Sequence, residues 1–230
     1  MYSFWKNKKV LITGHTGFKG SWLSLLLIHF GAKVSGVSLR PKRKEYLLFQ
    51  KTLLNNNCNN YYLNILNLNK IDNLIKKIKP DFIFHLAAQP FVLEGYKYPK
   101  RTYDTNVTGT LNILEAIKKN KIKTSIIVTT DKVYKNDERK KSFTETDQLG
   151  GDDPYSSSKH ICEILVKNYN DIYFKNTNIN VVTVRAGNVI GGGDRGKNRL
   201  IPDFFKTKKE MYIRSPYSIR PWQFVLDPLY

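Results

Sequence analysis

The chain has 230 residues, 41% of them hydrophobic and 13% aromatic, and its 38 lysines and arginines against 19 acidic residues give a formal charge of +19. This length allows one buried core, or a nucleotide-binding domain with part of a second lobe, and the apolar content excludes a disordered chain. The basic residues are spread along the chain, which favours solvated surface lysines, so no nucleic-acid partner is predicted. Charge alone leaves a polyanion-binding role open.

Neither export nor membrane insertion is expected from the sequence. The N-terminal MYSFWKNKKVLITG lacks the basic region, apolar core and cleavage site of a signal peptide, and the longest apolar stretch, residues 22–30, is too short to cross a bilayer. Cys58 and Cys162 stand far apart without a cluster of ligating neighbours. We therefore predict a cytoplasmic protein with neither a disulfide framework nor a metal site.

Apolar runs and helix-length segments alternate along most of the chain. The predicted strands are residues 8–13, 33–39, 61–66, 81–86, 124–129 and 180–185, and the predicted helices are residues 20–30, 69–79, 99–119 and 154–174. This alternation predicts an α/β fold with a Rossmann-type, doubly wound parallel sheet. After residue 186 glycines and prolines take over, so we expect a first domain over residues 1–186 and the start of a smaller, substrate-facing lobe over residues 187–230.

Three glycines, Gly14, Gly17 and Gly20, lie between the first predicted strand and the first predicted helix. At this point of such a fold the pyrophosphate of a dinucleotide docks on the N–H groups of the helix start. The first glycine permits the tight turn, the second lets the pyrophosphate approach, and the third allows close packing of helix on strand. The pattern in this position predicts a dinucleotide site.

The end of the second predicted strand lacks the acid that normally holds the ribose 2′-hydroxyl of NAD. Ser38, Leu39 and Arg40 stand there instead. Arg40 or Arg43 suits the 2′-phosphate of NADP, but solvated surface arginines explain the same residues. The choice between NAD and NADP therefore stays open at this point.

Tyr155 and Lys159 are spaced to lie on one face of a predicted helix, one turn apart. An ammonium close to a phenol stabilises the phenolate, so we expect the Tyr155 pKa to fall from about 10 toward neutrality and Tyr155 to act as a base on a sugar hydroxyl. The same spacing occurs at Tyr96 and Lys100, which we interpret as a surface coincidence.

Thr130, Asp131 and Lys132 follow directly after the fifth predicted strand. Residues just past the carboxyl end of a parallel strand face the ligand crevice, so we expect these three near the nicotinamide, where a hydroxyl, an acid and an amine can transfer protons. Taken in isolation, the three residues also fit an ordinary polar turn. The glycines and the Tyr155–Lys159 pair favour the functional interpretation.

Together these motifs resemble the extended short-chain dehydrogenase/reductase family, and within it the sugar-nucleotide 4,6-dehydratases. The similar segments are GHTGFKGSWL (14–23), HLAAQP (85–90), TNVTGT (105–110), TTDKVY (129–134), LGGDDPYSSSK (149–159), RAGNVIGGGD (185–194), RLIPD (199–203) and IRPWQ (219–223). Lys132 is the discriminating residue, because relatives that act on dTDP- or GDP-sugars usually carry Glu there. The resemblance is therefore greatest to the dehydratases of CDP-glucose.

The resemblance implies a lyase that converts CDP-glucose to CDP-4-keto-6-deoxyglucose, for the synthesis of deoxysugars and surface polysaccharide such as O-antigen. Tyr155, Lys159 and Thr130 would act at the 4-hydroxyl. Lys132 would remove the proton of carbon 5, and Asp131 would protonate the departing 6-hydroxyl. A cycle that returns its own hydride fits NAD better than NADP, without excluding NADP.

The resemblance also implies the binding residues. The cofactor site would comprise Gly14, Thr16, Gly17, Phe18, Lys19, Gly20, Arg40, Asn64, Ile65, Leu86, Ala87, Ala88, Gln89, Asn106, Thr129, Tyr155 and Lys159. The substrate site would comprise Gln89, Asn188, Arg199, Leu200, Ile201, Arg214 and Arg220. Asn64 departs from the family, which usually has Asp there.

Two further expectations come from the resemblance. Relatives continue well beyond the position of Tyr230, so the predicted lobe is incomplete, and a homodimer is expected on the helices 99–119 and 154–174. The alternatives are another NAD-dependent sugar-nucleotide dehydratase, a sugar-nucleotide epimerase, or a non-catalytic remnant that binds a dinucleotide.

Overall fold

The computed structural model describes residues 2–41, 48, 57–137, 142–207, 210–213 and 215–230. Its main sheet has six parallel strands in the order β3-β2-β1-β4-β5-β6. These strands are β1 (Lys9–Thr13), β2 (Lys33–Ser38), β3 (Asn59–Tyr62), β4 (Phe82–His85), β5 (Thr124–Val128) and β6 (Asn180–Val184). The order reverses between β1 and β4, which is where such sheets bind ligands at their carboxyl ends. The predicted Rossmann-type α/β fold is confirmed.

Helices connect the strands and cover both faces of the sheet. They are α1 (Tyr2–Trp5), α2 (Phe18–His29), α3 (Leu68–Ile78), α4 (Val92–Lys97), α5 (Pro99–Tyr103), α6 (Gly109–Asn120), α7 (Pro154–Tyr169) and α8 (Leu200–Lys206), with 3₁₀ turns at Asp131–Val133 and Asp227–Leu229. Within the described ranges, none of the helices is long and apolar enough to cross a membrane.

Alternate residues of the strands enter two separate cores. Val10 and Ile12 of β1 pack with Leu23 and Leu27 of α2 on one face of the sheet. Leu11 points the other way and packs among buried side chains of α3, α6 and α7. Burial on both faces is typical of a parallel sheet, and it leaves the carboxyl ends of the strands as the place for polar residues.

Several predicted elements have different bounds in the structure. The prediction for the third strand, residues 61–66, is wrong in its bounds, because β3 is Asn59–Tyr62. The helix predicted at residues 99–119 is divided by a π-helical turn, Asp104–Thr108, and the one at residues 154–174 ends in a second, Asn170–Phe174. A π turn inserts an extra residue into a helix and re-aims the side chains next to it.

The segment after β6 contains a small sheet that is docked on α2. β7 (Asn188–Ile190) pairs in parallel with β8 (Trp222–Phe224). The Trp22 indole N–H of α2 donates a hydrogen bond of 2.9 Å to the Gly192 carbonyl, and Val225 beside β8 is fully buried. These contacts hold the segment over the start of α2. The domain boundary at residue 186 stays a prediction.

Candidate active site

The glycine turn between β1 and α2 is closed by backbone contacts that leave no room for side chains. Gly14 has a φ of +76°, and a Cβ there would lie 2.8 Å from the Ala87 nitrogen. A Cβ on Gly20 would lie 2.2 Å from the Gly14 carbonyl oxygen. Gly17, the N-cap of α2, places no side-chain oxygen on the first N–H groups of that helix, so these donors can serve a phosphate.

A buried hydrogen-bond chain fixes the backbone after β4. The Ala87 N–H donates to Thr13 Oγ1 (3.2 Å), the Thr13 hydroxyl lies 2.7 Å from His85 Nδ1, and His85 Nε2 lies 3.1 Å from Thr110 Oγ1. Burial, aided by the charge of Lys159, lowers the pKa of His85 to about 3, so the ring is neutral. The network is satisfied when Nε2 carries the proton. His85 therefore positions the peptide of residues 86–88 beside the glycine turn.

Gln89 and Asn106 are bonded to each other and to main chain. Asn106 Oδ1 accepts from the Gln89 N–H (2.7 Å), and Asn106 Nδ2 donates to Ser158 Oγ (2.8 Å). The Gln89 amide donates to Thr102 and to the Phe91 carbonyl. The π turn Asp104–Thr108 brings Asn106 into this arrangement. Both side chains stabilise the strand ends, and their contact with cofactor or substrate stays a prediction.

The proton-transfer residues predicted from sequence are brought together at the end of β5. Asp153 caps α7 by accepting from the Tyr155 and Ser156 N–H groups, at 2.8 and 3.0 Å, which orients the first turn of the helix. Tyr155 hydrogen-bonds with Thr130, and the Thr130 hydroxyl donates to Asp131 Oδ1 at 3.1 Å. A phenol, a hydroxyl and a carboxyl group thus form one continuous chain.

The prediction that Lys159 pulls the Tyr155 pKa toward neutrality is wrong for this structure. Burial raises the pKa of Tyr155 to about 12, and the groups that oppose this rise are the Thr130 hydroxyl and Arg199. Lys159 is only 3% exposed and donates to the Val128 carbonyl at 2.8 Å. Its own pKa is lowered, chiefly by burial. Spacing along the helix predicted the pair, but desolvation sets the pKa.

Two lysines in the site have depressed pKa values. Burial, followed by the charge of Arg220, lowers the pKa of Lys132. Burial, followed by the charge of Arg199, lowers the pKa of Lys19 to about 8, against the opposite effect of Asp131. The structure thus places Lys132 and Arg220 near each other, and Lys19 near Asp131. A lysine with a lowered pKa can serve as a base near neutral pH.

The predicted substrate residues occupy the edge of the same region. Arg199 forms an ion pair with Asp194, with Nη1 at 3.1 and 3.0 Å from the two carboxylate oxygens, and its guanidinium lies 5.2 Å from the centre of the Phe91 ring. Asn188 begins β7, and Leu200 begins α8 with Ile201 next to it. Arg214 lies outside the described residues.

At the far end of the predicted cofactor site, the residues after β2 and β3 are partly engaged. Asn64 Oδ1 accepts from the Leu66 N–H (3.0 Å), and the Ile65 carbonyl accepts from Asn112 (3.0 Å). The Arg40 guanidinium lies 4.9 Å from the centre of the Tyr62 ring. The contacts of Asn64, Ile65 and Arg40 with a cofactor stay predictions.

The sequence did not predict a buried ion pair next to α7, the helix that carries Tyr155 and Lys159. Glu163 follows Lys159 by one turn of α7, and its carboxylate accepts from Thr129 Oγ1 (2.7 Å) and from Arg185 Nη2 (2.6 Å). Asp194, the partner of Arg199, was missed as well. The spacing of Lys159 and Glu163 is a local signal, whereas the position of Arg185 depends on the pairing of β5 with β6.

Among the residues that the structure describes, His, Cys, Asp and Glu side chains do not gather in groups of three that could hold a metal ion.

A family model described as "NAD dependent epimerase/dehydratase family" matches residues 10–228. The chain belongs to this family. The match confirms the family resemblance, and the predicted cofactor agrees with the family's description. It covers the glycine turn, the Thr130–Asp131–Lys132 turn and the Tyr155–Lys159 pair together.

Individual members of the epimerase/dehydratase family are similar over most of the chain. CDP-glucose 4,6-dehydratase of Salmonella typhimurium is 44% identical over 99% of this chain, and dTDP-D-glucose 4,6-dehydratase of Dictyostelium discoideum is 30% identical over 86%. UDP-glucose 4-epimerase of Thermotoga maritima, solved with UDP-glucose, superposes with a TM-score of 0.82 at 26% identity, covering 96% of this chain and 71% of that one. The chain spans 66% of the Salmonella relative and 47% of the Dictyostelium relative.

Proposed function

We propose that the chain carries the cofactor site and the proton-transfer residues of an NAD-dependent sugar-nucleotide 4,6-dehydratase that converts CDP-glucose to CDP-4-keto-6-deoxyglucose. The observation that carries the proposal is the chain Tyr155–Thr130–Asp131, with Lys132 next to it, at the carboxyl end of β5. The 44% identity to the Salmonella CDP-glucose 4,6-dehydratase supports the choice of sugar nucleotide.

The glycine turn fits the dinucleotide on the evidence of its own geometry. The glycines leave a cradle that a Cβ would fill, and the start of α2 offers uncapped N–H groups to the pyrophosphate. When bound, the nicotinamide would accept the hydride of carbon 4 in its oxidised form and would return it to carbon 6 in its reduced form. The protein's part is to bind it, to orient the sugar and to move protons.

Each proton transfer can be assigned to one side chain. Tyr155 in its ionised form takes the proton of the 4-hydroxyl as that carbon is oxidised to a ketone, and Thr130 hydrogen-bonds the same oxygen. Because burial raises the pKa of Tyr155 to about 12 in the free chain, this role requires a lower pKa in the complex with cofactor and substrate. The ketone acidifies carbon 5, where Lys132 removes a proton in its neutral form. Asp131 in its protonated form gives its proton to the departing 6-hydroxyl, which leaves as water. Return of the hydride to carbon 6 and of the proton from Lys132 to carbon 5 then gives the 4-keto-6-deoxy product.

Two arginines are assigned to the substrate, and two helical segments are assigned to the contact with a partner chain. Arg199 and Arg220 suit the diphosphate of the sugar nucleotide, because a guanidinium fork pairs well with phosphate oxygens. We propose residues 1–186 as the cofactor domain and residues 187–230 as the start of the substrate lobe. A homodimer would use the helical segments of residues 99–119 and 154–174, and Ile164 in the second of them is 46% exposed.

An epimerase is the second candidate, because the superposed Thermotoga enzyme is one. Epimerisation at carbon 4 needs no proton donor for a departing 6-hydroxyl. The acid of Asp131 and the depressed pKa of Lys132 therefore favour dehydration. A non-catalytic remnant that only binds dinucleotide is the third candidate, and it predicts the absence of turnover.

The test incubates the purified chain with CDP-glucose and NAD and follows the ultraviolet absorbance of a 4-keto sugar in alkali. Tyr155→Phe should abolish the product while NAD still binds. Tyr96→Phe is the matched control, because Tyr96 has the same spacing to Lys100 but is 60% exposed on α4, and it should keep full activity. Formation of an epimer, or no difference between the two variants, would contradict the proposal.

A further inference from the structure

The fold gathers exposed lysines at the edge of the main sheet that lies opposite the glycine turn. All six strands begin at this edge, which we call the amino edge, and α2, α3 and α6 end there. Exposed lysines stand at or just before the start of four neighbouring strands, β2, β1, β4 and β5. These six lysines are Lys6, Lys9, Lys33, Lys79, Lys121 and Lys123. Because neighbouring strands lie about 4.8 Å apart, the four strand starts cover about 15 Å of the amino edge.

Backbone hydrogen bonds fix these strand starts against each other. The Lys33 N–H donates to the Lys8 carbonyl at 2.8 Å, and the Asp81 N–H donates to the Lys9 carbonyl at 2.8 Å. Lys9 and Lys33 are partners in the parallel register of β1 and β2. Like charges on paired residues of neighbouring strands are unfavourable. The sheet therefore holds two cationic residues side by side at a cost to its own stability.

Little negative charge opposes the six lysines. In the part of the chain that the structure describes, none of them forms an ion pair with a carboxylate. Asp81 is exposed beside them, but its Oδ2 accepts a hydrogen bond of 2.8 Å from the Lys9 N–H. The buried Asp72 carboxylate pairs with Lys76 and Lys119 instead. The amino edge thus presents positive charge that the fold leaves largely uncompensated.

An exposed aromatic side chain accompanies this charge. Phe4 is 54% exposed, and its ring centre lies 5.7 Å from that of Phe82, the first residue of β4, so it lies at the amino edge. Lysines around an exposed phenylalanine suit the headgroup region of an anionic bilayer. Nucleic-acid surfaces favour arginine, whose planar fork pairs with phosphates and stacks on bases, whereas each of the six cations is a hydrated point charge.

We propose that the amino edge binds the surface of an anionic phospholipid bilayer, with the six lysines at the headgroups and Phe4 at the boundary with the acyl chains. Each lysine near such a surface strengthens binding about five-fold, so the six together give reversible attachment. The glycine turn and Asp131 follow the opposite ends of β1 and β5, so a bound chain keeps its candidate active site open to solution. The proposal does not depend on the proposed reaction.

Co-sedimentation with vesicles tests the proposal at about 0.1 M salt, where the Debye length is about 10 Å. The chain should bind vesicles made of phosphatidylglycerol and phosphatidylcholine in equal parts and should not bind vesicles of phosphatidylcholine alone. A variant that combines Lys9→Gln, Lys33→Gln and Lys123→Gln should have a partition coefficient about 100-fold lower. Added salt should weaken the binding of the wild-type chain, because exposed charges carry it.

The matched control combines Lys70→Gln, Lys97→Gln and Lys135→Gln, which are exposed lysines that follow the carboxyl ends of β3, β4 and β5. It has the same net charge as the first variant. It should bind vesicles almost as tightly as the wild-type chain, because its lysines lie more than a Debye length from the bilayer. Equal loss of binding in the two variants, or a wild-type chain that does not bind anionic vesicles, would overturn the proposal.

Two further measurements complete the test. The affinity for NAD should be the same with and without vesicles, and weaker NAD binding on vesicles would contradict the proposed orientation. Binding of an RNA duplex without binding of vesicles would assign the amino edge to nucleic acid and overturn the proposal. A chain that binds vesicles but does not turn over CDP-glucose would refute only the proposed reaction.

Discussion

Arg185 and Glu163 form a bidentate ion pair that joins the end of β6 to α7. Arg185 Nε lies 3.0 and 3.1 Å from the two Glu163 carboxylate oxygens, and Nη2 lies 2.6 Å from Oε2. Their side chains are 17% and 7% exposed. The guanidinium also lies 4.7 Å from the centre of the ring of Tyr134, which follows the Asp131–Val133 turn. The ion pair thus helps to fix Lys159, one turn before Glu163 on α7, and supports the Asp131–Val133 turn through the contact of Arg185 with Tyr134.

Glu163→Gln should destabilise the fold and disturb the site. It keeps an acceptor for Thr129 but leaves Arg185 buried without its counter-charge, which should lower the free energy of urea unfolding by about 3–5 kcal/mol. Because the Glu163 charge raises the pKa of Lys159, that pKa should fall further. Asp72→Asn is the control: Asp72 is equally buried and pairs with Lys119, but it joins α3 to α6.

Both variants should lose stability, and only Glu163→Gln should also shift the pH profile of turnover. Adding Arg185→Gln to Glu163→Gln removes the unpaired charge and should recover part of the lost stability. A urea midpoint for Glu163→Gln equal to that of the wild-type chain would show that the Glu163–Arg185 ion pair does not stabilise the fold.

Gly36→Ala should weaken both the fold and the dinucleotide site. A Cβ at this position in β2 would lie 2.2 Å from the His15 ring, which is fully buried in the glycine turn and bonded to Asn60 at 2.9 Å. Relief of this overlap should cost about 1–3 kcal/mol. Gly192→Ala, where a Cβ meets nothing within 4 Å, should stay within about 0.5 kcal/mol of wild type. Equal free energies of unfolding for Gly36→Ala and Gly192→Ala would contradict this prediction.

Lys19 should make stability depend on pH in the alkaline range. Its folded-state pKa is about 8 against an ordinary value of 10.5, so between these values the unfolded chain binds more protons than the folded one. Stability therefore rises with pH across this window, and the cost of burying the charge is fully present below pH 8. Lys19→Met should be more stable than wild type at pH 7, by on the order of 2 kcal/mol, with the difference shrinking toward pH 10. Denaturant unfolding at several pH values measures this difference. A stability difference that does not change with pH would contradict the lowered pKa of Lys19.

Lys132→Met should separate the two halves of the proposed reaction. Without the amine, carbon 5 keeps its proton, so the variant should no longer exchange that position with deuterated solvent or form the 4-keto-6-deoxy product. Reduction of bound NAD by CDP-glucose should persist, because Tyr155 and Thr130 act at carbon 4. Lys135→Met, which replaces an exposed lysine just beyond the same turn, is the control and should exchange normally. Normal exchange in Lys132→Met would assign the base elsewhere.

The parts of the fold that depend on local pattern could be predicted from the sequence. The apolar runs locate β1 and β5, and the glycines locate the turn between β1 and α2, because these features need only neighbouring residues. The π turn at Asp104–Thr108 was not predicted, since residue preferences hardly distinguish it from α-helix. The elements after residue 186, such as α8 and β8, are too short to give a periodic signal.

The candidate site likewise has features that the sequence predicted and features that it did not. The positions of Thr130, Asp131 and Tyr155 followed from the sheet topology and the family motifs. The pKa of Tyr155 did not follow, because the degree of burial is set by side chains from several distant segments. The Glu163–Arg185 contact likewise depends on the alignment of α7 with β6, which no spacing in the sequence reveals.

The parallel pairing of β1 with β4 also bears on how the protein acquires its binding site. Thr13 and His85 touch although 72 residues separate them, so the chain must close a long loop before the turn at Gly14 is held in place. Closure of this kind is slow and comes after helices and other short-range contacts have formed. A nucleotide can therefore engage only a nearly complete domain, and its presence should slow unfolding far more than it accelerates refolding.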